Sequence, residues 1–231
     1  MVQVNADRLT IRVRFRKTGS LQYVSHLDLV RTMHKIIVRA KLPLYYSEGF
    51  NPKPKMVFAA PLSIGTESLA EYMDLRLSEY VDPDVVMSRL NSNMTSEMQI
   101  TEAYYSSTKF TDLKWMTYDI SIKTAGACRE FAEKCKRILL SDTVLVTKNS
   151  KSGEKTVNIR PLIRSVDCGF DGECITLRAV LSADQSAFLN PELLIKVLRE
   201  GAGILSDEDM TQEYYSIMRL SAHFDDMTEF R

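Results

Sequence analysis

The sequence has little of several residue types that mark specialised proteins. Among 231 residues there are one Trp, three His, four Cys, seven Pro and nine Gly. These contents exclude collagen-like and low-complexity chains, and a hydrophobic fraction of 45% excludes a wholly disordered one. What remains is a globular protein, long enough for one large domain or two small ones.

Several catalytic and cofactor-binding motifs are also missing. There is no G-x-G-x-x-G, P-loop, G-x-S-x-G or H-E-x-x-H motif. The cysteines Cys128, Cys135, Cys168 and Cys174 have neither zinc-ribbon spacing nor the C-x3-C-x2-C spacing that holds a catalytic iron–sulfur cluster. We therefore expect no metal and no cofactor. Because no catalytic constellation is complete, the sequence favours a protein that is not an enzyme.

Membrane and export signals are absent from the sequence. The first fifteen residues interleave charges with apolar positions, unlike a signal peptide. No apolar run approaches the roughly 20 residues that cross a bilayer. The sequence predicts a cytoplasmic protein that makes no contact with a membrane.

Charge is distributed unevenly although the formal net charge is zero. Residues 1–60 hold eleven Lys and Arg against three Asp and Glu, whereas residues 202–231 hold two against seven. A basic first quarter predicts a surface that faces an anion. Alternatively, the two ends of the chain neutralise each other.

The first half of the chain reads as strands and helices in the order βαββαβ. Thr10–Arg16 alternates strictly, which predicts a half-buried strand with its apolar residues towards helices and its arginines on an open sheet face. The next helix begins at the capping residue Ser25. Its predicted apolar positions are Leu27, Val30, His34, Ile37 and Val38. The remaining predicted elements are a helix from Pro83 and strands around Leu44–Tyr46, Met56–Ala59, Glu71–Leu77 and Met98–Tyr105.

The second half repeats that order. We expect strands at Lys114–Lys123, Val144–Lys148, Cys174–Leu181 and Tyr214–Leu220, and an extended segment at Val157–Val166 that is broken at Pro161. We also expect helices at Gly126–Leu140 and from Asn190–Pro191, and a polar turn at Lys148–Lys155. The resulting prediction is an α+β protein of two tandem ferredoxin-like (βαββαβ) units with antiparallel sheets. The predicted units are residues 1–110 and 111–231.

A basic surface is the first candidate site. Arg12, Arg14 and Arg16 would stand about 7 Å apart on the open face, a spacing close to that of successive phosphates. Arg31, Lys35 and Arg39 form a second stripe along the first helix, and Lys53 and Lys55 could extend it to bind nucleic acid. In the alternative, the helix stripe is a solvated face and the strand arginines pair with Asp74 across the sheet or are buried against the second unit.

The start of the first helix is the second candidate site. Ser25, His26 and Asp28 lie where a helix terminus attracts anions, so Ser25 could contact an anion and His26 could act as a base or ligand. The alternative is that Ser25 and Asp28 only cap the helix. Either interpretation leaves His26 as the member without a structural explanation.

The segment Tyr46–Lys55 is the third candidate site. Gly49 permits unusual backbone geometry, Pro52 and Pro54 stiffen the chain, and Phe50 is apolar where a bare turn needs no apolar residue. Asn51, Lys53 and Lys55 could supply polar contacts. Such a loop either clamps a ligand or packs on its own phenylalanine.

These motifs resemble the radical SAM-linked protein family, a bacterial domain of unknown function. The resemblance is carried by the arginine–phenylalanine alternation at Arg12–Arg16, Ser-His-Leu-Asp-Leu at Ser25–Leu29, Tyr-Ser-x-Gly-Phe-Asn-Pro at Tyr46–Pro52, Pro61–Glu67 and Glu71–Asp74. Further on, Val157–Leu162 resembles the Ile-Asp-Ile-Arg-Pro element of the family, with Asn158 where an acidic residue is usual.

The resemblance implies a cytoplasmic accessory protein. Members are encoded beside, or fused to, a radical S-adenosylmethionine protein with a cobalamin-binding-like domain. It therefore implies a chain that docks to a radical SAM enzyme and recognises or presents its substrate. The alternative from the sequence is an RNA-binding protein that acts in RNA modification or processing, and the two can coexist if an RNA is the substrate presented.

Overall fold

A computed structural model describes residues 9–150, 153–206 and 212–231. The chain forms two compact units, described here one at a time. The first ends at Asp112 and also includes Arg231, and the second is Leu113–Phe230. The predicted polar turn at Lys148–Lys155 lies partly outside the described residues.

The first unit contains two helices and a four-stranded sheet. Its sheet has the order β4-β1-β3-β2, and each neighbouring pair is antiparallel. The elements are β1 (Thr10–Lys17), α1 (His26–Arg39), β2 (Met56–Phe58), β3 (Thr66–Arg76), α2 (Pro83–Asn91) and β4 (Met98–Tyr105).

Alternation in β1 separates the core of this unit from its open face. Ile11, Val13 and Phe15 are fully buried and pack in one cluster with residues of both helices, as predicted. The cluster includes Met33 of α1 and Val86 of α2. Because side chains alternate along a strand, the arginines of β1 lie on the opposite face of the sheet.

The buried stripe of α1 differs from the predicted one. The helix begins after Ser25 as expected, but its buried residues are Leu29, Met33, Ile36 and Ile37. Of the predicted apolar positions only Ile37 is buried, and the side chains of Leu27 and Val38 are more than half exposed. Each step of one residue turns the direction of a helix side chain by 100°. The predicted positions lie one or two residues from the buried ones, so they fall on a different face of α1.

The second unit repeats the order of strands and helices seen in the first unit, with one added β-hairpin. Its main sheet has the order β10-β5-β9-β8 with antiparallel neighbours, while β6 and β7 form a separate two-stranded sheet. The elements are β5 (Trp115–Lys123), α3 (Arg129–Leu139), β6 (Leu145–Ser150), β7 (Gly153–Asn158), β8 (Ile163–Phe170), β9 (Ile175–Ser182), α4 (Glu192–Ala202) and β10 (Tyr214–His223).

One predicted break is confirmed, while other elements differ in type or boundary. The extended segment Val157–Val166 is broken at Pro161, as the sequence predicts, and a 3-10 turn there separates β7 from β8. This follows because proline has no N–H for a sheet ladder. Leu44–Tyr46 makes single bridges to Leu77 and Pro54 rather than a strand. Helix α4 starts at Glu192, one residue later than expected, with the Asn190 side chain accepting a hydrogen bond from the Glu192 N–H.

The described residues thus form a mixed α/β protein with four α-helices, and the strand pairs within each unit are antiparallel. Within these residues, no helix is both long enough and apolar enough to cross a membrane.

Two phenylalanines test where the stability of the first unit resides. Phe15 is fully buried, with its ring 6.3 Å from that of Phe58, whereas Phe50 is fully exposed. Phe15→Ala should lower the free energy of unfolding by about 3–5 kcal/mol through lost burial and a cavity. Phe50→Ala should change it by less than about 0.5 kcal/mol. Urea denaturation measures both, and similar losses for the two variants would contradict this description of the core.

Candidate functional site

Arg12 is an interior residue, not part of an exposed basic row. Its side chain is 0% exposed, and its guanidinium donates to both Asp74 carboxylate oxygens at 2.8 and 2.9 Å. Further bonds reach the hydroxyl of Thr108 at 2.8 Å and its carbonyl at 3.1 Å, and the guanidinium lies 4.3 Å from the Phe110 ring centroid. The expectation that Arg12 contacts phosphate is therefore wrong, because Arg12 stands directly opposite Asp74 in the sheet.

Arg14 and Arg16 do not restore a continuous basic row. Arg14 is 18% exposed and donates to Glu102 at 2.9 Å. Arg16 is exposed and donates to the Ser96 carbonyl at 2.9 Å. Pairing within the first unit thus removes two of the three arginines from an anion-binding face, as the alternative interpretation expected.

The residues at the start of α1 are occupied with each other. The Ser25 hydroxyl donates to the Asp28 carboxylate at 2.7 Å and accepts from the Asp28 N–H at 3.2 Å. The Ser25 hydroxyl and then Arg31 hold the pKa of Asp28 below its usual value. This reciprocal cap favours the structural interpretation of Ser25 and Asp28 over an anion-binding one.

His26 is the member of this group that takes no part in the cap. It is exposed, and its ring stands edge-on to Phe58 with the centroids 5.5 Å apart. In the described part of the chain no carboxylate bonds to its imidazole. A catalytic base oriented by an acid is therefore not assembled there.

The segment Tyr46–Lys55 is a short hairpin that is closed by its own hydrogen bonds. Ser47 N–H donates to the Lys53 carbonyl at 2.8 Å, and Lys53 N–H donates to the Ser47 hydroxyl at 3.1 Å. Gly49 has a φ of +120°, which favours glycine. Because its base is fixed, the hairpin holds its tip in a defined shape.

The tip of this hairpin is exposed. Phe50 has a relative exposure of 111%, so the prediction that the loop packs on its own phenylalanine is wrong. Asn51 and Lys53 are exposed beside it, and Tyr46 is 44% exposed. Phe50 is therefore not a core residue, and its ring is available for contact with another molecule.

A groove lies between α1 and β2, and we call it the helix-side groove. It has a volume of about 410 Å³. Its lining is mostly apolar, with two imidazoles: His26, Val30 and His34 from α1, and Met56 to Pro61 from β2 and the segment after it. Burial, and then the charge of Lys53, lower the pKa of His34. Lys53 is thus close enough to α1 to act on this groove.

A second groove, the open-face groove, lies on the other side of β2. Its volume is about 540 Å³. Lys53, Lys55 and Arg76 contribute three cations, and Asp74 is its one carboxylate, already bound to Arg12. Lys55 and Arg76 stand 5.3 and 4.5 Å from the centroid of the Tyr45 ring, which positions both. The open-face groove is therefore basic.

The basic stripe on α1 is confirmed as a surface feature. Arg31, Lys35 and Arg39 are all exposed, although Arg31 also bonds to Asp28 at 3.1 Å. Lys53 and Lys55 are exposed on the hairpin and just before β2. These five exposed cations of the first unit therefore lie on α1 and around β2.

Over residues 9–150, 153–206 and 212–231, the structure brings no metal-binding cluster together. No group of three or more His, Cys, Asp or Glu residues suited to a metal occurs among the described residues. Burial raises the pKa of Cys135 to about 11 and that of Cys168 to about 12. Both thiols therefore stay protonated at neutral pH and are poor nucleophiles.

Sequence reasoning missed His34, Tyr45 and Arg76 as site residues, and Lys17 as a buried one. His34 was read as a core position of α1, and Arg76 only as a neighbour of the strand arginines. Lys17 shares the buried face of β1 at 1% exposure, and its ammonium donates to the carbonyls of Leu21 and Gln22. The alternation of β1 placed Lys17 inward, so the pattern could have revealed it.

Strand order and helix placement in both units define a mixed α/β protein on antiparallel sheets, with a basic hairpin and two grooves around β2 in the first unit. The chain belongs to the family described as "Uncharacterized protein conserved in bacteria (DUF2344)", which matches residues 10–191. No curated protein matches the sequence.

Three solved structures align with most of this chain. A crystal structure of a Cbf5-Nop10-Gar1 complex aligns at a TM-score of 0.50 and 9% identity, over 93% of this chain and 49% of that one. An archaeal box H/ACA sRNP Nop10-Cbf5 complex aligns at 0.47 and 9%, over 92% and 47%. An unknown protein from Galdieria sulphuraria aligns at 0.26 and 9%, over 91% and 98%. The chain spans about half the length of the first two, and the similarity to the first is one of fold alone.

The Arg12–Asp74 pair can be tested by removing one partner and then both. Arg12→Met should lower the free energy of unfolding by about 3–5 kcal/mol, because Asp74 loses its counter-ion and Thr108 loses two hydrogen bonds. The double variant Arg12→Met/Asp74→Leu should be less destabilised than the single one. Arg16→Met, on the exposed position of the same strand, is the matched control and should change little. Urea denaturation measures the free energy of unfolding of each variant. An unchanged value for Arg12→Met would contradict a structural role for Arg12.

The link between the hairpin and α1 can be tested by titrating His34. Because its folded-state pKa is lowered from 6.5, His34 stabilises the fold above 6.5, and this contribution is lost as the pH falls through and below 6.5. Lys53→Gln should raise the pKa of His34, since the neighbouring charge is gone. Lys155→Gln, an exposed position on β7, should leave it unchanged. NMR titration of the His34 ring protons measures this, and equal shifts in the two variants would separate the hairpin from α1.

Proposed function

We propose that this chain is a binding module that docks onto a partner protein through one face of its first unit. This docking face consists of α1, the Tyr46–Lys55 hairpin and β2. The observation that carries the proposal is the full exposure of Phe50 at the tip of a hairpin that its own hydrogen bonds close. Aromatic anchors of this kind contribute much of the energy of protein interfaces.

The surroundings of Phe50 support a protein partner. Tyr46 of the hairpin, Leu27 of α1 and Val57 of β2 are also exposed apolar side chains, between 44% and 59%. Exposed cations of α1 and the hairpin accompany these apolar groups. An apolar centre with a charged surround is the usual composition of a specific protein interface.

The resemblance to the radical SAM-linked family suggests which partner this is. Two of the motifs that carry the resemblance, Ser25–Leu29 and Tyr46–Pro52, lie on the docking face. The partner we propose is a radical SAM enzyme encoded beside this chain, in a cytoplasmic complex in which the chain recognises or presents the substrate. The incomplete constellation around His26 supports an accessory role over an enzymatic one.

We also infer that each unit is ferredoxin-like. The support is the order βαββαβ together with the strand orders β4-β1-β3-β2 and β10-β5-β9-β8, with the β6–β7 hairpin as an insertion. In such a unit two helices cover one face of the sheet. The docking face then combines the edge of the sheet with the first of its two helices.

RNA binding is the second candidate function, and it rests on the exposed stripe of Arg31, Lys35 and Arg39. Burial of Arg12 and pairing of Arg14 weaken the part of that hypothesis that used the sheet face. Helix cations of this kind bind phosphates without reading the bases. The same experiment separates the two candidates.

Phe50→Ala should weaken retention of the neighbour-encoded radical SAM protein roughly thirtyfold, as expected for an anchor worth about 2 kcal/mol. Leu145→Ala is the matched control, because Leu145 is 58% exposed in the second unit and should leave retention unchanged. The measurement is affinity co-purification followed by a titration of the two pure proteins.

Two results would count against this assignment. Equal retention by both variants would remove Phe50 from the interface. No retention by the unaltered chain, together with salt-sensitive binding of cellular RNA that an Arg31/Lys35/Arg39→Glu variant loses, would favour the RNA-binding function.

A further inference from the structure

Strand β2 is an edge of its sheet with main-chain groups directed outwards. Arg76 N–H donates to the Lys55 carbonyl and Ala59 N–H donates to the Tyr72 carbonyl, so Lys55 and Ala59 are hydrogen-bonded positions against β3. In an antiparallel pair these positions alternate, which places Val57 among them. The N–H and C=O groups of Met56 and Phe58 therefore point away from β3. Within the described strands, β2 pairs with β3 alone.

The two grooves lie on opposite faces of this edge and share Met56 and Val57. Met56 and Phe58 pack against the core, so their face of β2 is the helix side. Val57 stands opposite Asp74 in the sheet, so its face is the open one. A strand added beside β2 would send alternate side chains into the helix-side groove and the open-face groove.

The chemistry of the two grooves differs. The helix-side groove offers Val30, Met56 and Phe58 as apolar contacts, with His26 and His34 beside them. The open-face groove offers Lys53, Lys55 and Arg76, and its one carboxylate is bound to Arg12. Side chains that alternate between apolar and acidic match both grooves in one register.

We propose that β2 binds an extended segment of the partner protein as an added antiparallel or parallel strand, and that this segment alternates apolar and acidic residues. The apolar residues enter the helix-side groove and the acidic ones face the lysines and Arg76 of the open-face groove. Main-chain hydrogen bonds give affinity and the two grooves give specificity. This inference rests on the proposed function and names the chemistry of the partner.

A second copy of this chain is a poorer occupant of the same edge. Pairing of β2 with another β2 would place against the cations of the open-face groove the segment Lys53–Ala59, which carries two lysines and no carboxylate. Such a segment offers the open-face groove no opposite charge, whereas opposite charges across paired strands are stabilising. The charge of the edge therefore selects against self-pairing and for an acidic strand.

The probe is a fluorescein-labelled heptapeptide in which valine and glutamate alternate, titrated against the full chain by fluorescence anisotropy. We expect it to bind at least tenfold more tightly than the counterpart with lysine at each glutamate position. N-methylation of the alternate amides that face β2 should abolish binding, whereas N-methylation of the other amides should preserve it. Equal binding of both N-methylated peptides would overturn strand addition.

Charge reversal on the protein supplies the matched comparison. Lys53→Glu/Lys55→Glu should weaken the acidic peptide at least tenfold and strengthen the lysine peptide. Lys155→Glu reverses an exposed lysine on β7 and should change neither. Circular dichroism confirms that the variants stay folded. No binding of the acidic peptide at millimolar concentration, or equal loss in the two variants, would overturn the inference.

Competition separates this inference from the proposed function. If the radical SAM protein is retained and the acidic peptide displaces it, both stand. If it is retained and saturating peptide does not displace it, strand addition at β2 fails while the docking function stands. If the peptide binds as expected but the radical SAM protein is not retained, the identity of the partner fails and the peptide site stands. A dimer that sedimentation detects and the peptide dissociates would assign the edge to a second copy and overturn the inference.

Discussion

Strand β1 places apolar side chains on one face and guanidinium groups on the other. The rest of the first unit depends on how each face is packed. Ile11, Val13 and Phe15 fill the core beneath the helices. On the opposite face a buried guanidinium is tolerable only with a carboxylate and further acceptors, which Asp74 and Thr108 supply. That requirement fixes the register of β3 against β1, and β3 in turn carries β2.

Ion pairs within the sheet explain why the candidate site lies beside the sheet rather than on its open face. Asp74 and Glu102 bind Arg12 and Arg14, and the cations that line the open-face groove are Lys53 and Lys55 of the hairpin segment and Arg76 at the end of β3. Apolar exposure is found in the same region because α1 turns Leu27 outwards and the hairpin holds Phe50 in water. The docking face therefore consists of apolar and basic side chains that the core and the sheet of the first unit do not bury.

The sequence was sufficient for the elements that have a strong period, and insufficient where the partner of a side chain decides its role. The alternation of β1 and the cap at Ser25 were predicted correctly, since both depend on neighbours in the chain. The burial of Arg12 could be offered only as an alternative, because it depends on Thr108, 96 residues away. The exposure of Phe50 could not be predicted either, since composition does not tell whether a loop phenylalanine finds a pocket. Nothing in the sequence order placed His34 and Lys53 close together.

The closed base of the Tyr46–Lys55 hairpin has a consequence for the kinetics of association. A loop that must order itself on contact loses conformational entropy at that moment, and its encounter with a partner is slowed by failed attempts. Here the bonds between Ser47 and Lys53 have already fixed the base of the hairpin. Less of the hairpin therefore remains to be ordered on contact, so differences in affinity among variants of this face should reside in the lifetime of the complex rather than in the rate at which it forms.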